Sequence, residues 1–375
     1  MKIVLAPDSY KGSLTAKQAC DAMEAGIRKV FPDADVIKVP MADGGEGTVQ
    51  SLVDALNGQL HTETVANPLG EPVQATYGIL GDGKTAVIEM AEASGLYLIS
   101  KEQRDPRITT TYGTGELIKA ALDQGCRNFI LGIGGSATND GGVGMAQALG
   151  IQFLDRDGNP VPFGGGFLHC IERMDLTRLD PRIKDCRFTV ACDVDNPLCG
   201  EHGASHVFGP QKGANPEMVL ELDSNLLHYA TILGEQLGMN IKDLPGSGAA
   251  GGLGAGMVAF LGAELRPGIE IVLQITKLEE TLAGADLAIS GEGQCDFQTL
   301  RGKTPFGVAK VARQLNIPVI LMAGSIGAGI DALFEHGIVS VFSIVDRPMS
   351  LEDAMEQAAP LMSAAVERVI RARFL

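Results

Sequence analysis

Short runs of branched apolar residues alternate along the chain with stretches in which apolar positions return every three or four residues, the signatures of buried strands and amphipathic helices. Residues 2–6 form the first such run, closed by Pro7, and Thr15-Ala-Lys-Gln18 opens a helix with capping-box spacing whose apolar face is Ala19, Met23, Ile27 and Val30. Residues 36–40 predict a second strand, MADGGEGT a loop, and Val49, Leu52, Val53 and Leu56 a helix stopped by Asn57-Gly58. From His61 to Glu89 the texture changes to β-rich stretches around Pro68-Leu-Gly70 and Gly81-Asp-Gly83, which read as antiparallel hairpins. A helix over 115–122, a buried strand over 128–133 and a small-residue helix over 143–149 follow, then a hairpin at Asp157-Gly158 and a strand over 187–192. The long helix predicted over 217–237 turns Leu222, Leu226, Leu233 and Leu237 inward. After GSGAAGGLGAG, expected as a flexible loop or hinge, the pattern becomes regular. Strands over 286–290, 317–323 and 338–344 alternate with helices over 305–315, 329–336 and 351–373, the last kinked at Pro360.

Strands alternating with helices imply parallel strands joined by crossover helices, so the fold class is α/β with parallel and mixed sheets. The hairpin-rich middle lies between two strand–loop–helix regions. This predicts a discontinuous α/β domain built from residues 1–60 plus 285–375, with residues 61–284 inserted as a second α/β domain carrying hairpins. A length of 375 residues suits two domains.

Glycine is the compositional excess: 48 of 375 residues, nearly double the usual ~7%, with no G-X-Y period. It is bunched in GGEG, GIGGSATNDGGVG, FGGGF, GSGAAGGLGAG and SGEG, where the backbone must turn sharply or approach a ligand closely. A net charge of −16, no tryptophan and 5% aromatics argue against nucleic-acid or membrane partners and for a small-molecule substrate; a homodimer is the oligomer left open. Seven scattered cysteines without a C-x-x-C pair speak against a disulfide framework. The apolar run in MKIVLAPDS is too short for a signal peptide, and a cytoplasmic location is expected.

Five predicted strands run directly into polar or glycine-rich loops: LAPDSYKGS, VPMADGGEGT, GIGGSATNDGG, ACDVDNP and ISGEGQCDFQTLRGK. Ligands of open α/β sheets bind outside the carboxyl ends of strands, so these loops are expected to share one cleft. Gly134, Gly135, Ser136, Ala137, Thr138, Asn139 and Asp140 offer unhindered amides and two hydroxyls between a strand and a helix. That is more than a tight junction needs, and phosphate binding is favoured over packing alone. No Walker A motif exists: Gly302-Lys303-Thr304 ends like one, but Phe297 stands where its first glycine belongs. Residues 132–137 fit G-x-G-x-x-A and residues 246–251 fit G-x-G-x-x-G, weak matches that keep a dinucleotide-dependent oxidoreductase as an alternative.

Carboxylates recur in the same loops: Asp8, Asp43, Glu46, Asp140, Asp193, Asp195, Glu292 and Asp296. Phosphoryl transfer uses Mg²⁺ held by one or two carboxylates plus substrate phosphates, and another carboxylate to deprotonate the attacking hydroxyl. Lys11, Arg301 and Lys303 are the cations nearby, with Thr304-Pro305 read as N-cap and N1 of a helix; Arg104 and Arg107 are weaker candidates. Cys192, Cys199, His202 and His206 approach zinc spacing without a paired knuckle and read as ordinary loop residues. No G-x-S-x-G elbow points to hydrolase chemistry.

Long segments of the chain resemble the bacterial type-1 glycerate kinases: MKIVLAPDSYKGSLTA, PMADGGEGT, AVIEMAEASGL, TTYGTGELI, GIGGSATNDGGVGMAQALG and GEGQCDFQTLRGKTPFGVA. The resemblance implies ATP-dependent phosphorylation of D-glycerate with Mg²⁺, 2-phosphoglycerate as product, and a place in glycolate, glyoxylate or sugar-acid breakdown. It also implies two α/β domains, one flavodoxin-like and one like a restriction-endonuclease core, with the chain ends meeting in one domain. Gln294 departs from the arginine many relatives carry there, which moves the cationic role to Arg301 or Lys303.

On these positions ATP phosphates are expected at residues 134–140 and glycerate beside Asp8, Ser9, Arg301 and Lys303, in an interdomain cleft. Asp43 or Asp193 is expected to accept the hydroxyl proton, Lys11 to stabilise phosphoryl oxygens, and Glu292 with Asp296 to hold Mg²⁺. A non-catalytic sensor of small acids is the third reading.

Overall fold

The structure is a computed structural model and describes residues 1–45, 47–300 and 302–375. It has α/β architecture and divides into two compact units: Met1–Gly58 with Pro267–Leu375, and Gln59–Arg266. No described helix is long and apolar enough to cross a membrane.

The first unit is built on a five-stranded sheet, parallel throughout. Its spatial order is Asp35–Lys38, Lys2–Leu5, Leu287–Cys295, Val319–Ile326 and Ile338–Ser343. Numbered along the chain this is 2-1-3-4-5, a doubly wound order whose winding reverses between the strands Lys2–Leu5 and Leu287–Cys295. Ile3, Leu5, Leu287, Ile289, Ile320 and Met322 pack in one core with the helices Ala16–Arg28 and Ala358–Phe374. The capping box at Thr15 forms as the sequence predicts: its hydroxyl accepts from the Gln18 amide at 3.1 Å, and the Gln18 side chain accepts from the Thr15 amide at 2.9 Å.

Three features differ from the sequence reading. The strand beginning at Leu287 runs on through GEGQC to Cys295, paired with residues 322–326, because small residues let the two backbones close. A Cβ on Gly324 would stand 2.5 Å from the Gly293 carbonyl oxygen. Residues 267–284, read as part of the inserted segment, belong to the first unit, where Ile269 packs against Gly307 so closely that a Cβ there would lie 2.3 Å from it. The C-terminal helix is two helices, Leu351–Glu356 and Ala358–Phe374, broken ahead of Pro360. The proline ring clashes with the carbonyl four residues back, at Glu356, so the break falls there.

The second unit carries a six-stranded mixed sheet in the order Glu264–Arg266, Arg187–Ala191, Asn128–Gly132, Thr85–Glu89, Pro72–Ile79 and Gln59–Ala66. The first four are parallel, and the last two close the edge as antiparallel hairpin strands around the two predicted turns. A separate ribbon pairs Gln152–Leu154 with Arg173–Asp175.

GSGAAGGLGAG is not a flexible hinge. From Ala249 it forms a helix to Leu261, interrupted where Ala250, Gly251 and Gly252 take left-handed backbone. Its glycines bring it against the glycine-rich loop after Asn128–Gly132: a Cβ on Gly251 would lie 2.0 Å from the Thr138 carbonyl oxygen, and one on Gly256 2.5 Å from that of Gly141. Gly251→Ala is therefore expected to destabilise by at least about 2 kcal/mol, from combined overpacking and left-handed strain, as thermal unfolding would show.

Candidate active site

At the winding reversal of the first sheet, the chain leaves strand Lys2–Leu5 without leaving its neighbour: Ala6 N–H donates to Ile289 O at 2.8 Å and Asp8 N–H to Gly291 O at 2.9 Å. The buried Tyr10 hydroxyl donates to Met322 O at 2.7 Å and passes so close to Gly291 that no side chain fits there. From the other side, Val39 and Met41 amides donate to Leu5 and Pro7 carbonyls, which brings in the loop bearing Asp43. The result is a cavity of about 790 Å³ whose polar lining includes Asp8, Ser9, Lys11, Asp43, Glu292 and Lys303. Its apolar lining includes Ile344, Val345, Met349, Leu351 and Met355. The volume lies within the range of small-molecule sites, at the place where doubly wound sheets bind ligands.

Charge in this cavity is arranged around Asp8. Its Oδ1 accepts from the Ser9 amide at 2.6 Å and its Oδ2 from the Thr304 hydroxyl at 2.7 Å. Burial, then the neighbouring Asp43 and Glu292 carboxylates, push its pKa up to about 7 against those hydrogen bonds. Glu292 accepts from the Thr299 hydroxyl at 2.7 Å and from Lys303 Nζ at 2.9 Å; burial nevertheless raises its pKa. Burial works against the Lys303 ammonium, but Glu292 and the surrounding carboxylates outweigh it and raise the pKa. Thr304, expected to cap its helix, instead spends its hydroxyl on Asp8, and Lys303 occupies the N-cap position. Lys303→Met would leave Glu292 buried without its cation. A loss of about 1–3 kcal/mol in urea unfolding is expected, less than for a fully enclosed pair because the lysine side chain is 34% exposed.

The structure thus brings together Asp8, Ser9, Lys11, Asp43, Glu292 and Lys303. Asp296, expected beside Glu292 as a metal ligand, is absent from that lining; its carboxylate accepts from the Gln298 amide at 2.8 Å and from Gln294 Nε2 at 3.0 Å. Among the described residues no group of three His, Cys, Asp or Glu side chains is placed to hold a metal ion. Arg301 and Glu46 lie outside the described residues. Asp193 belongs to the second unit, exposed beyond strand Arg187–Ala191.

In the second unit the glycine-rich loop leaves strand Asn128–Gly132 at the carboxyl ends of the parallel strands. Gly134 and Gly135 are exposed, Gly135 has φ +74°, and a Cβ on Gly134 would meet nothing within 4 Å. Ser136 to Asp140 turn inward and are buried. Asp140 accepts from the Thr111 amide and hydroxyl, both at 2.8 Å, and from the Gly142 and Gly144 amides, so it braces the loop from inside. Asn139 donates to the Ser205 hydroxyl at 2.9 Å, and the Ala137 amide to Ser94 O at 2.9 Å. The open part of the cradle is therefore Gly134-Gly135. Arg107 is engaged by Asp105 at 2.7 Å.

Sequence reasoning missed Lys212, whose Nζ donates to Ser136 Oγ at 2.8 Å and Thr138 O at 2.7 Å, because PQKGAN carries no motif. It also missed Thr299, whose hydroxyl positions Glu292.

The profile of the glycerate kinase family matches residues 3–373 of the chain. The chain belongs to the glycerate kinase family. Glycerate kinase of Halalkalibacterium halodurans is 56% identical to it over 367 residues, covering 98% of this chain and 97% of the relative. Glycerate 2-kinase of Escherichia coli K12 is 54% identical over 358 residues, 96% and 94% of the two chains. A crystal structure from Salmonella typhimurium LT2, provisionally assigned as glycerate kinase 2, superposes with a TM-score of 0.92 at 50% identity, covering 99% of this chain and 98% of that one. As a member of the glycerate kinase family the chain is a kinase, which sets aside the oxidoreductase and sensor readings.

Proposed function

We propose that this kinase phosphorylates D-glycerate on its 2-hydroxyl, with ATP and Mg²⁺, to give 2-phosphoglycerate. The observation that carries the reading is the single cavity in which Asp8, Asp43 and Glu292 meet Lys11 and Lys303, in a chain of this family. A small hydroxy acid needs a cation for its carboxylate and a base for its hydroxyl, and this lining offers both.

In this reading the Lys303 ammonium, fixed by Glu292, faces the glycerate carboxylate, and Ser9 adds a hydroxyl. Asp8 takes the proton from the 2-hydroxyl as the new O–P bond forms. The sequence reading gave that role to Asp43 or Asp193; Asp8 suits it better because a base near pKa 7 is both ionised in part and strong enough at neutral pH. Lys11, exposed on the cavity lining, neutralises phosphoryl oxygens. Bound MgATP supplies the phosphoryl group and an electrophilic phosphorus. The exposed Gly134-Gly135 turn is suited to its phosphates, since nothing in the fold occupies the space a side chain would take. Mg²⁺ bound mainly through nucleotide phosphates needs only one or two protein carboxylates. Of the pair Glu292 and Asp296, Glu292 faces the cavity, and Asp43 lies on the same lining. A cytoplasmic setting suits the seven free cysteines.

Incubating the protein with D-glycerate, ATP and Mg²⁺ and reading the products by phosphorus NMR is expected to give 2-phosphoglycerate and ADP. A 3-phosphate signal would overturn the regiochemistry, and no transfer to glycerate would overturn the whole reading.

A further inference from the structure

A lysine that the proposed chemistry does not use sits under the glycine-rich loop of the second unit. Lys212 ends the short turn Pro210–Lys212 and is 1% exposed. The next residue, Gly213, has φ +98°, and a Cβ there would stand 2.3 Å from Arg104 O, so the turn is tightly placed. The ammonium donates to the Ser136 hydroxyl and the Thr138 carbonyl, two residues apart on the loop. Both acceptors are neutral oxygens.

A buried ammonium held by neutral acceptors is an expensive way to fill a core; an apolar side chain of similar length would cost less. Stability alone therefore gives no reason for it. Its partners do: both lie on the loop whose outward turn, Gly134-Gly135, is open and exposed. A cation enclosed in a poorly polarisable interior also projects its potential further than one in water. Burial lowers its pKa to about 7, partly offset by the Asp140 carboxylate.

We propose that Lys212 is a positioning residue: by clamping Ser136 and Thr138 from inside, it presets the Gly134-Gly135 turn for a nucleotide's phosphate chain and sets positive charge behind it. This rests on the reading of that loop as the nucleotide site.

The test uses the full chain with Lys212→Met, Ser136→Ala, the double variant, and Gly134→Val as a control with Lys212 intact. Readouts are KM for MgATP, KM for D-glycerate, calorimetric titration with ADP, and thermal unfolding. Lys212→Met is expected to weaken ADP binding and raise the MgATP KM about tenfold, with the glycerate KM within about twofold of the parent. The double variant should lose less than the sum of the two single losses, because both remove the same contact. If Lys212→Met does not fold, Ser136→Ala alone carries the test, with a smaller rise in the MgATP KM alone expected. Unchanged ADP affinity, or equal rises in both KM values with a lowered melting temperature, would reduce Lys212 to a structural role and overturn the proposal. If Gly134→Val also leaves ADP binding unchanged, the nucleotide assignment of the loop fails with it. If Gly134→Val abolishes binding and Lys212→Met does not, the lysine proposal alone fails.

Discussion

Asp8→Asn is expected to lower kcat by roughly 10²- to 10⁴-fold, the usual contribution of a positioned base, with a small change in the glycerate KM. Asn keeps the size of the side chain; its Oδ1 can still accept from the Ser9 amide and its NH2 can donate to the Thr304 hydroxyl oxygen, so the cavity should survive while proton acceptance is lost. Two pH measurements separate catalysis from architecture. In the parent, activity should rise with pH through about 7, because only the ionised carboxylate takes a proton, and that limb should vanish in the variant. Stability moves the other way. The carboxyl pKa is raised on folding, so its contribution is most favourable below the ordinary carboxylate value and is lost as pH rises toward about 7. At pH 8 the variant should therefore melt a few degrees above the parent, and the advantage should shrink toward pH 4. A variant with parental kcat would remove Asp8 from the proton transfer and return that role to Asp43.

Much of the scaffold was legible because its determinants are local. Thr15 and Gln18 announce a capping box by spacing alone, and the turns at Pro68-Leu-Gly70 and Gly81-Asp-Gly83 separate strands that do pair antiparallel. Where local patterning failed, packing at a distance had decided. GSGAAGGLGAG has the composition of a hinge, yet its glycines serve close approach to Thr138 and Gly141, more than 100 residues away in sequence. The SGEGQC segment has no strand-like alternation and is a strand because residues 322–326 are beside it. The same limit applies to chemistry. The sequence supplies the carboxylates, but which of them titrates near neutrality depends first on how deeply Asp8 is buried and then on Asp43 and Glu292 standing beside it. Lys212 was invisible for the same reason, since its meaning comes wholly from contacts 74 and 76 residues back along the chain.

Gly134→Val is expected to raise the nucleotide KM at least about a hundredfold, equivalent to about 2.7 kcal/mol of lost binding, while the melting temperature stays within about 2 °C. The separation follows from the geometry of two neighbouring glycines. Gly135 has φ +74°, and a Cβ there would touch Ala91 at 3.4 Å, so a side chain at 135 costs folding energy whether or not anything binds. Gly134 is outside the left-handed region, and a Cβ on it meets no protein atom within 4 Å. The fold tolerates a side chain there; only a ligand approaching the backbone would object. Gly134→Ala should accordingly fall between parent and valine variant in nucleotide affinity, and Gly135→Ala should lose about 1 kcal/mol or more of stability. Equal ADP affinity across the Gly134 series, measured by calorimetry, would show that no phosphate comes near this turn. The glycerate KM should be unmoved throughout, because the residues proposed to hold that substrate line the cavity of the first unit.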